Sequence, residues 1–500
     1  MTHRPLAVVL SLTLAGLALP VVATPASAAP AASAKPYDFD GDGYPELVVG
    51  VGDLRIKSRE QGGAVVVLPG SRKGLSLKEQ VLTEASPEVA GEFNVGNRFG
   101  SAFASADFDA DGYADLAVGR PGTAATGVGG AVTVLFGSGK GLTGRDSVEL
   151  VAPVGRSGSF GAALATADFD ADGWPDLAVG DPSGDRLVFE GQYVDATGTA
   201  TVFRGGDAGF AAARSTVVRG ERAAQDHDFE FGSTLAAGDL DADGRADLVI
   251  GSAGQAYQTV GAPGSVTLCS GAASGVAACT RVARDVHYAG LRSLALGNVS
   301  GTSRPEIVLG VPYADLDAKR GGAVHTLTLS GTGARTTASS SELTQDSPGV
   351  PGSDEDLDEF GTDVVLGDLD DDGYADLVVG APWEDVGSRE NAGRVTVVYG
   401  GSTGYRTSGN KLYDQNTEGI PGKAEEQDSF GGTVALFDHD QDGHLDLTVG
   451  APREDGDKGA VTTLRGKGTG FTTKGARTFG LKTLGYTKQT LAGFGETLGR

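Results

Sequence analysis

Acidic residues recur in this chain at a spacing suited to one chemistry, the enclosure of a hard divalent cation. The stretch Asp107 to Leu116 puts acids at loop positions 1, 3, 5 and 9, glycine at 6 and leucine at 10; related loops start at Asp38, Asp168, Asp239, Asp368 and Asp438. Carboxylates at alternating positions converge when a loop wraps an ion, the glycine permits the sharp turn, and calcium accepts about six to eight oxygens. Position 7 can contribute its backbone carbonyl whatever side chain it carries.

The candidate ligands are Asp38, Asp40, Asp42, Tyr44 and Glu46 in the first loop; Asp107, Asp109, Asp111, Tyr113 and Asp115 in the second; and Asp168, Asp170, Asp172, Trp174 and Asp176 in the third. The fourth offers Asp239, Asp241, Asp243, Arg245 and Asp247. Two further loops offer Asp368, Asp370, Asp372, Tyr374 and Asp376, then Asp438, Asp440, Asp442, His444 and Asp446. Six Ca2+ sites are expected from these six loops. The pattern is similar to an EF-hand loop, but it has no acid at position 12 and strands flank it; magnesium, which keeps its waters in a tighter octahedron, suits it less. Solvated acidic turns are the alternative, disfavoured because several carboxylates on one tight loop repel without a cation. Affinities on the order of 0.1–1 mM are expected, as for other extracellular modules. A further loop breaks the rule: Asn298, Ser300, Thr302 and Glu306 include one acid, and Ser303 replaces the glycine, so it is left out of the metal sites.

The loops must be positioned by what surrounds them. They start about 60–70 residues apart, and a sustained period points to one repeat architecture. A Phe-Gly pair precedes the loop at Phe99, Phe160, Phe231, Phe360 and Phe430. After the loop come an apolar burst, a Gly-x-Pro turn as at Gly380-Ala381-Pro382, a second apolar run, a Gly-rich hairpin and a last run. Four short runs per unit, separated by turn residues, read as four strands. Seven such units predict an all-β chain, a seven-bladed β-propeller of four-stranded blades. A parallel β-helix has much shorter repeats, and seven separate domains would each be too small to fold easily. The first loop lacks a Phe-Gly strand before it, whereas the chain finishes with Phe494-Gly495-Glu496-Thr497-Leu498-Gly499 and no acidic loop. The C-terminal strand is therefore expected to complete the first blade and close the ring, removing exposed sheet edges.

The Phe-Gly pair, the acidic loop and the Gly-Ala-Pro turn together resemble the FG-GAP repeat family, over essentially all of the chain after its leader. That family includes the N-terminal propeller of integrin α subunits and the propeller part of glycosylphosphatidylinositol-specific phospholipase D. The resemblance implies a seven-bladed propeller with calcium in the loop between the first two strands of a blade and ligands met on the opposite face.

Residues 1–28 read as a secretory signal: His3 and Arg4, an apolar stretch from Leu6 to Leu19, and an A-x-A site at Ala26-Ser27-Ala28. The stretch is short for a membrane anchor. The expected mature chain is residues 29–500, a secreted, soluble monomer of bacterial type with no membrane span. Cys269 and Cys279 flank a hairpin turn and are expected to form a disulfide, because adjacent strands bring Cβ atoms near bonding distance. The net charge of −26 is largely accounted for by the loops, and without a basic patch a nucleic-acid partner is not expected.

Nothing in the sequence converges as a catalytic constellation. None of the six histidines forms HExxH. The one G-x-S-x-G match, around Ser402, occupies a hairpin position, whereas a nucleophile elbow joins a strand to a helix. The chain is therefore read as no enzyme but a recognition or adhesion module for an extracellular glycan, wall polymer or protein. A phospholipase-like hydrolase and a ligand-free scaffold are the alternatives; the first rests on fold analogy alone. Candidate contacts in the loops joining the second and third strands are Phe189, Tyr193, Tyr257, Tyr313, Trp383, Arg389 and Arg453, aromatics and arginines being the usual anchors of recognition surfaces.

Overall fold

The computed structural model describes residues 34–52, 62–93, 96–122, 129–153, 159–183, 187–189, 192–194, 197–223, 226–254, 263–288, 290–313, 321–331, 336–485 and 493–500. Residues 1–28 and Tyr257 lie outside this set. Seven four-stranded antiparallel sheets form the blades of a β-propeller. Blade 2 shows the plan: Ala102–Ala106 innermost, then Asp115–Arg120, Ala131–Phe136 and Thr143–Val151. The same order recurs from Ala163–Ala167 in blade 3, Phe231–Gly238 in blade 4, Ser293–Gly297 in blade 5, Val364–Gly367 in blade 6 and Thr433–Phe437 in blade 7. Blade 1 contains Leu47–Val51, Ala64–Leu68 and Gln80–Leu82, with Thr497–Leu498 as its innermost strand. That strand pairs Val49 with Leu498 and Gly50 with Thr497.

Burial explains the sequence of each strand. The second strand of every blade is buried along its whole length, as in Asp115–Arg120 and Asp376–Ala381, because neighbouring blades cover both its faces. It therefore reads as a continuous apolar run rather than an alternation. The outermost strands meet solvent and carry polar residues, as in Thr143–Val151. Hydrophobic clusters lie between blades: Val378, Val395, Phe430, Val434 and Val449 come from blades 6 and 7, and Leu47, Val461, Phe494 and Leu498 from blades 1 and 7.

The two glycines of the repeat meet each other across this interface. A Cβ on Gly380, in the second strand of blade 6, would overlap the carbonyl oxygen of Gly431, the glycine of the next Phe-Gly pair. Gly119 faces Gly161 in the same way, and Gly450 faces Gly495. The preceding phenylalanines, Phe99, Phe160, Phe231, Phe360, Phe430 and Phe494, are all buried. Close backbone approach thus fixes the Phe-Gly and Gly-x-Pro signatures together.

The inner strands line a central channel of about 760 Å³, walled by small residues such as Ala102, Ala104, Ala163, Ala165 and Ala236. The Arg500 guanidinium reaches into it, bonding Asp363 and lying 3.3 Å from Ser293 Oγ. Two hairpins add to the seven blades, Leu187–Phe189 with Gln192–Val194 and Arg222–Ala223 with Asp226–His227. Cys269 and Cys279 form a disulfide between the third and fourth strands of blade 4. Among the described residues no helix is long and apolar enough to cross a membrane.

Candidate metal centres

In blades 2, 3, 4, 6 and 7 the acidic loop joins the innermost strand to the second, in blade 1 it leads into the second strand, and the structure gathers the acids of the loop. Carboxylate oxygens of Asp38, Asp40 and Asp42 lie within 4.8 Å of one another, as do those of Asp107, Asp109 and Asp115, Asp168, Asp170 and Asp176, Asp239, Asp241 and Asp247, and Asp368, Asp370 and Asp376. The loops share one internal frame. The carboxylate at position 1 accepts the amide of the position-6 glycine, from Gly43 at 3.0 Å to Gly443 at 2.9 Å. Position 5 accepts the amide of position 7, as in Asp42 from Tyr44 at 2.9 Å and Asp442 from His444 at 3.0 Å. The frame therefore needs only a backbone from position 7, which explains why Tyr44, Tyr113, Trp174, Arg245, Tyr374 and His444 are interchangeable there.

Position 9 has a second role that spacing alone does not reveal. Asp115 opens the second strand of its blade, and its two oxygens accept the amides of Phe108 at 2.7 Å and Gly137 at 2.8 Å. Asp176 does the same with Phe169 and Gly205, Asp247 with Leu240 and Gly271, and Asp376 with Leu369 and Gly400. One buried acid thus ties the loop to the hairpin between the third and fourth strands. Burial raises these carboxyls to about 8 in Glu46 and Asp115, about 7 in Asp176, Asp376 and Asp446, and about 6 in Asp247, with the loop's other acids adding to the shift.

The donor set fits a hard cation. Buried oxygens Asp38 Oδ1, Glu46 Oε1, Asp241 Oδ1, Asp370 Oδ1 and Asp440 Oδ1 have no hydrogen-bond partner within the protein. A buried carboxylate oxygen left so costs free energy unless a cation meets it. Blade 5 solves the same problem differently. There Ser300 Oγ donates to Glu306 Oε1 and Thr302 Oγ1 lies 2.9 Å from it, while Glu306 Oε2 accepts the amide of Val299. Hydroxyls thus meet Glu306, while Asn298 Oδ1 at position 1 is buried without a partner, as oxygens of the full loops are.

Neighbouring loops are also linked to one another. The carbonyl of Asp38 accepts the amide of Ala114, and that of Asn298 the amide of Ala375. The Tyr113 ring packs over Gly41 of the preceding loop, Tyr374 over Gly301, and His444 Nδ1 lies 3.4 Å from Asp371. Three position-7 side chains, Tyr113, Tyr374 and His444, are thus contacts between blades, a role the chemistry of the loop alone does not suggest.

At the other end of the second strands lie the candidate contact residues. Trp383 is 36% exposed, and its amide lies 3.3 Å from the carbonyl of Asp358, beside Leu357, which is 46% exposed. Arg389 is exposed in a turn closed by paired bonds with Val386, and exposed Arg453 bonds Gln427 at 3.2 Å. Tyr313 is half-buried and packs on Gly290. Phe189 and Tyr193 belong to the two-stranded hairpin, their backbones in register with Gln192 and Val188. Ser402 sits in a turn between Arg394–Val398 and Lys411–Tyr413, with no helix after it.

Six segments, residues 31–68, 99–135, 160–203, 231–269, 360–398 and 430–464, match the FG-GAP repeat, and they are the six with full acidic loops. The chain is a seven-bladed β-propeller built on FG-GAP repeats. Its relatives include phosphatidylinositol-glycan-specific phospholipase D of Bos taurus, 29% identical over 390 residues that cover 71% of this chain and 43% of the relative. The Mus musculus enzyme is 38% identical over 161 residues, 31% of this chain and 18% of the relative. Integrin alpha-IIb of Homo sapiens is 36% identical over 150 residues, 29% of this chain and 14% of the relative. The chain spans less than half the length of these relatives.

Proposed function

We propose that this propeller is a calcium-stabilised extracellular recognition module, with the ions at one end of the blades and the partner at the other. The observation that carries the reading is the set of buried carboxylate oxygens without a protein partner in the loops of blades 1, 4, 6 and 7. Calcium would be held by positions 1, 3 and 5, the carbonyl of position 7 and position 9 in blades 1, 2, 3, 4, 6 and 7. When bound it supplies positive charge that offsets the mutual repulsion of these acids. The disulfide and the likeness to integrin alpha chains agree with an exported protein, residues 29–500 after removal of residues 1–28.

The recognition surface is the end that displays Trp383, Leu357, Arg389 and Arg453, and its partner is a glycan, wall polymer or protein of the cell exterior. An enzyme reading is favoured only by the name of the phospholipase relatives. The test is retention of purified wall polymers, glycans and envelope proteins on immobilised residues 29–500. A species held in calcium, released by chelator and lost with Trp383→Ala supports recognition. Retention unaffected by Trp383→Ala, or none at all, counts against this surface.

A further inference from the structure

Three of the six full loops already touch a cation that belongs to the protein. Arg204 Nη1 lies 3.4 Å from Asp170 Oδ2 in blade 3, Arg406 Nη1 lies 2.7 Å from Asp370 Oδ2 in blade 6, and Arg465 Nη2 lies 3.0 Å from Asp440 Oδ2 in blade 7. Arg406 also bonds Asp372 Oδ2. In every case the acid is position 3 and the oxygen is Oδ2, while Oδ1 of Asp370 and of Asp440 is buried without a partner.

The arginines reach this point by two routes. Arg204 and Arg465 stand immediately before Gly205 and Gly466, whose amides bond the position-9 acids at 2.8 Å. Arg406 comes from further along the hairpin, its amide 2.7 Å from the Tyr399 carbonyl and its guanidinium 5.7 Å from the Tyr399 ring centre. The residues matching Arg204 in blades 1, 2 and 4 are Pro69, Phe136 and Ser270, none of them charged. Among the described residues no basic side chain from another segment pairs with those three loops; Arg245 lies 3.7 Å from Asp243 within its own loop.

We infer that Arg204, Arg406 and Arg465 are built-in counter-cations that divide the six loops into two classes of calcium site. The inference rests on the reading of the loops as calcium sites. In blades 3, 6 and 7 the guanidinium holds the outward oxygen of position 3, leaves the inward one for the ion, and cancels one negative charge. Charge count and rigidity set the affinity of such loops. These three loops accordingly bind calcium more weakly and keep their shape when it leaves. The loops of blades 1, 2 and 4 bind more tightly and depend on the ion for their shape.

Trp174 occupies position 7 of the blade 3 loop, and the other tryptophan, Trp383, stands at the far end of blade 6. Tryptophan-sensitised terbium luminescence therefore reports on blade 3. The whole chain, as wild type, Arg204→Gln and Arg204→Lys, is titrated with terbium and then displaced with calcium. Removing the charge should tighten binding about tenfold, whereas Arg204→Lys stays near wild type. Unchanged or weaker binding by Arg204→Gln overturns the inference. Independently, Arg406→Gln should widen the gap in Tm between calcium and chelator, and an equal loss in both media overturns it. A saturable wild-type signal upholds the metal reading whatever the variants do; no signal in any chain sinks both.

Discussion

The carboxylate of Asp115 bridges two backbone segments, accepting the amide of Phe108 within its own loop and that of Gly137 in the hairpin at the end of the third strand. Asp109, two positions after the loop begins, accepts the amide of Asp111, at 3.1 Å, within its own loop. The two acids should therefore fail differently. Asp115→Ala strands two buried amides and should cost about 3 kcal/mol even in chelator, with the lost metal linkage added in calcium. Asp109→Ala should cost about 2–3 kcal/mol at calcium well above its dissociation constant and little in chelator, because what it removes is metal linkage. Thermal unfolding of both variants in both media checks this; matching profiles would count against separate roles.

Blade 5 offers the converse experiment. Ser300→Asp with Thr302→Asp replaces hydroxyl donors to Glu306 by two further acids. The variant should lose about 2 kcal/mol in chelator through like-charge repulsion and recover with calcium, giving blade 5 a dependence on the metal. Calorimetric titration should show one additional site relative to wild type. A variant that stays destabilised in calcium would mean that Ser303 at position 6 prevents the turn.

Away from the loops, buried acids should make stability depend on pH. Asp358 bonds Glu384, which also meets Arg394 and Gln345, and burial raises Asp358 to about 8; Glu454, paired with Asp428, rises to about 7 for the same reason. The folded protein thus holds protons that the unfolded chain releases near pH 4. The contribution is fully present below that value and is lost as pH rises through about 7 to 8. At fixed calcium the wild type should weaken by about 2 kcal/mol between pH 6 and pH 8, and Asp358→Asn with Glu454→Gln should flatten the decline. Parallel curves for variant and wild type would exclude these pairs as the source.

Gly380→Ala should be severe for a single methyl group. The new Cβ would collide with the backbone of Gly431, which no rotamer change can relieve. A loss of about 3 kcal/mol is expected, measurable as a lowered denaturation midpoint, whereas Gly387→Ala, at a position with open space in a left-handed turn, should cost about 1 kcal/mol. Similar losses at both would show that the blades can slide apart without penalty.

The repeat, the loops and the blade count could be read from the chain because each rests on local spacing. Asp107 to Asp115 fixes its own turn, and Phe-Gly recurs at a constant distance from it. The innermost strand of blade 1 was legible at Thr497 for the same reason, as was the disulfide from its hairpin. What could not be read depends on contacts between units. Arg204 and Arg465 look like ordinary hairpin residues until the fold brings them to the loops, and Tyr113 shows its use only when Gly41 lies beneath it. The hairpins at 187–194 and 222–227 lie in insertions with no counterpart in the repeat.

The pairing of Val49 with Leu498 has a kinetic consequence. Every other sheet is assembled from one continuous stretch, so it can form as soon as that stretch is available. The first cannot: its innermost strand follows all the other blades in sequence, and bringing it home is the longest closure among the described sheets. Until then Leu47–Val51 has an open edge, the kind of surface on which partly folded chains associate. Refolding yield should consequently fall with protein concentration, and a peptide carrying the sequence from Phe494 to Arg500 should act as a competitor for the unfinished edge.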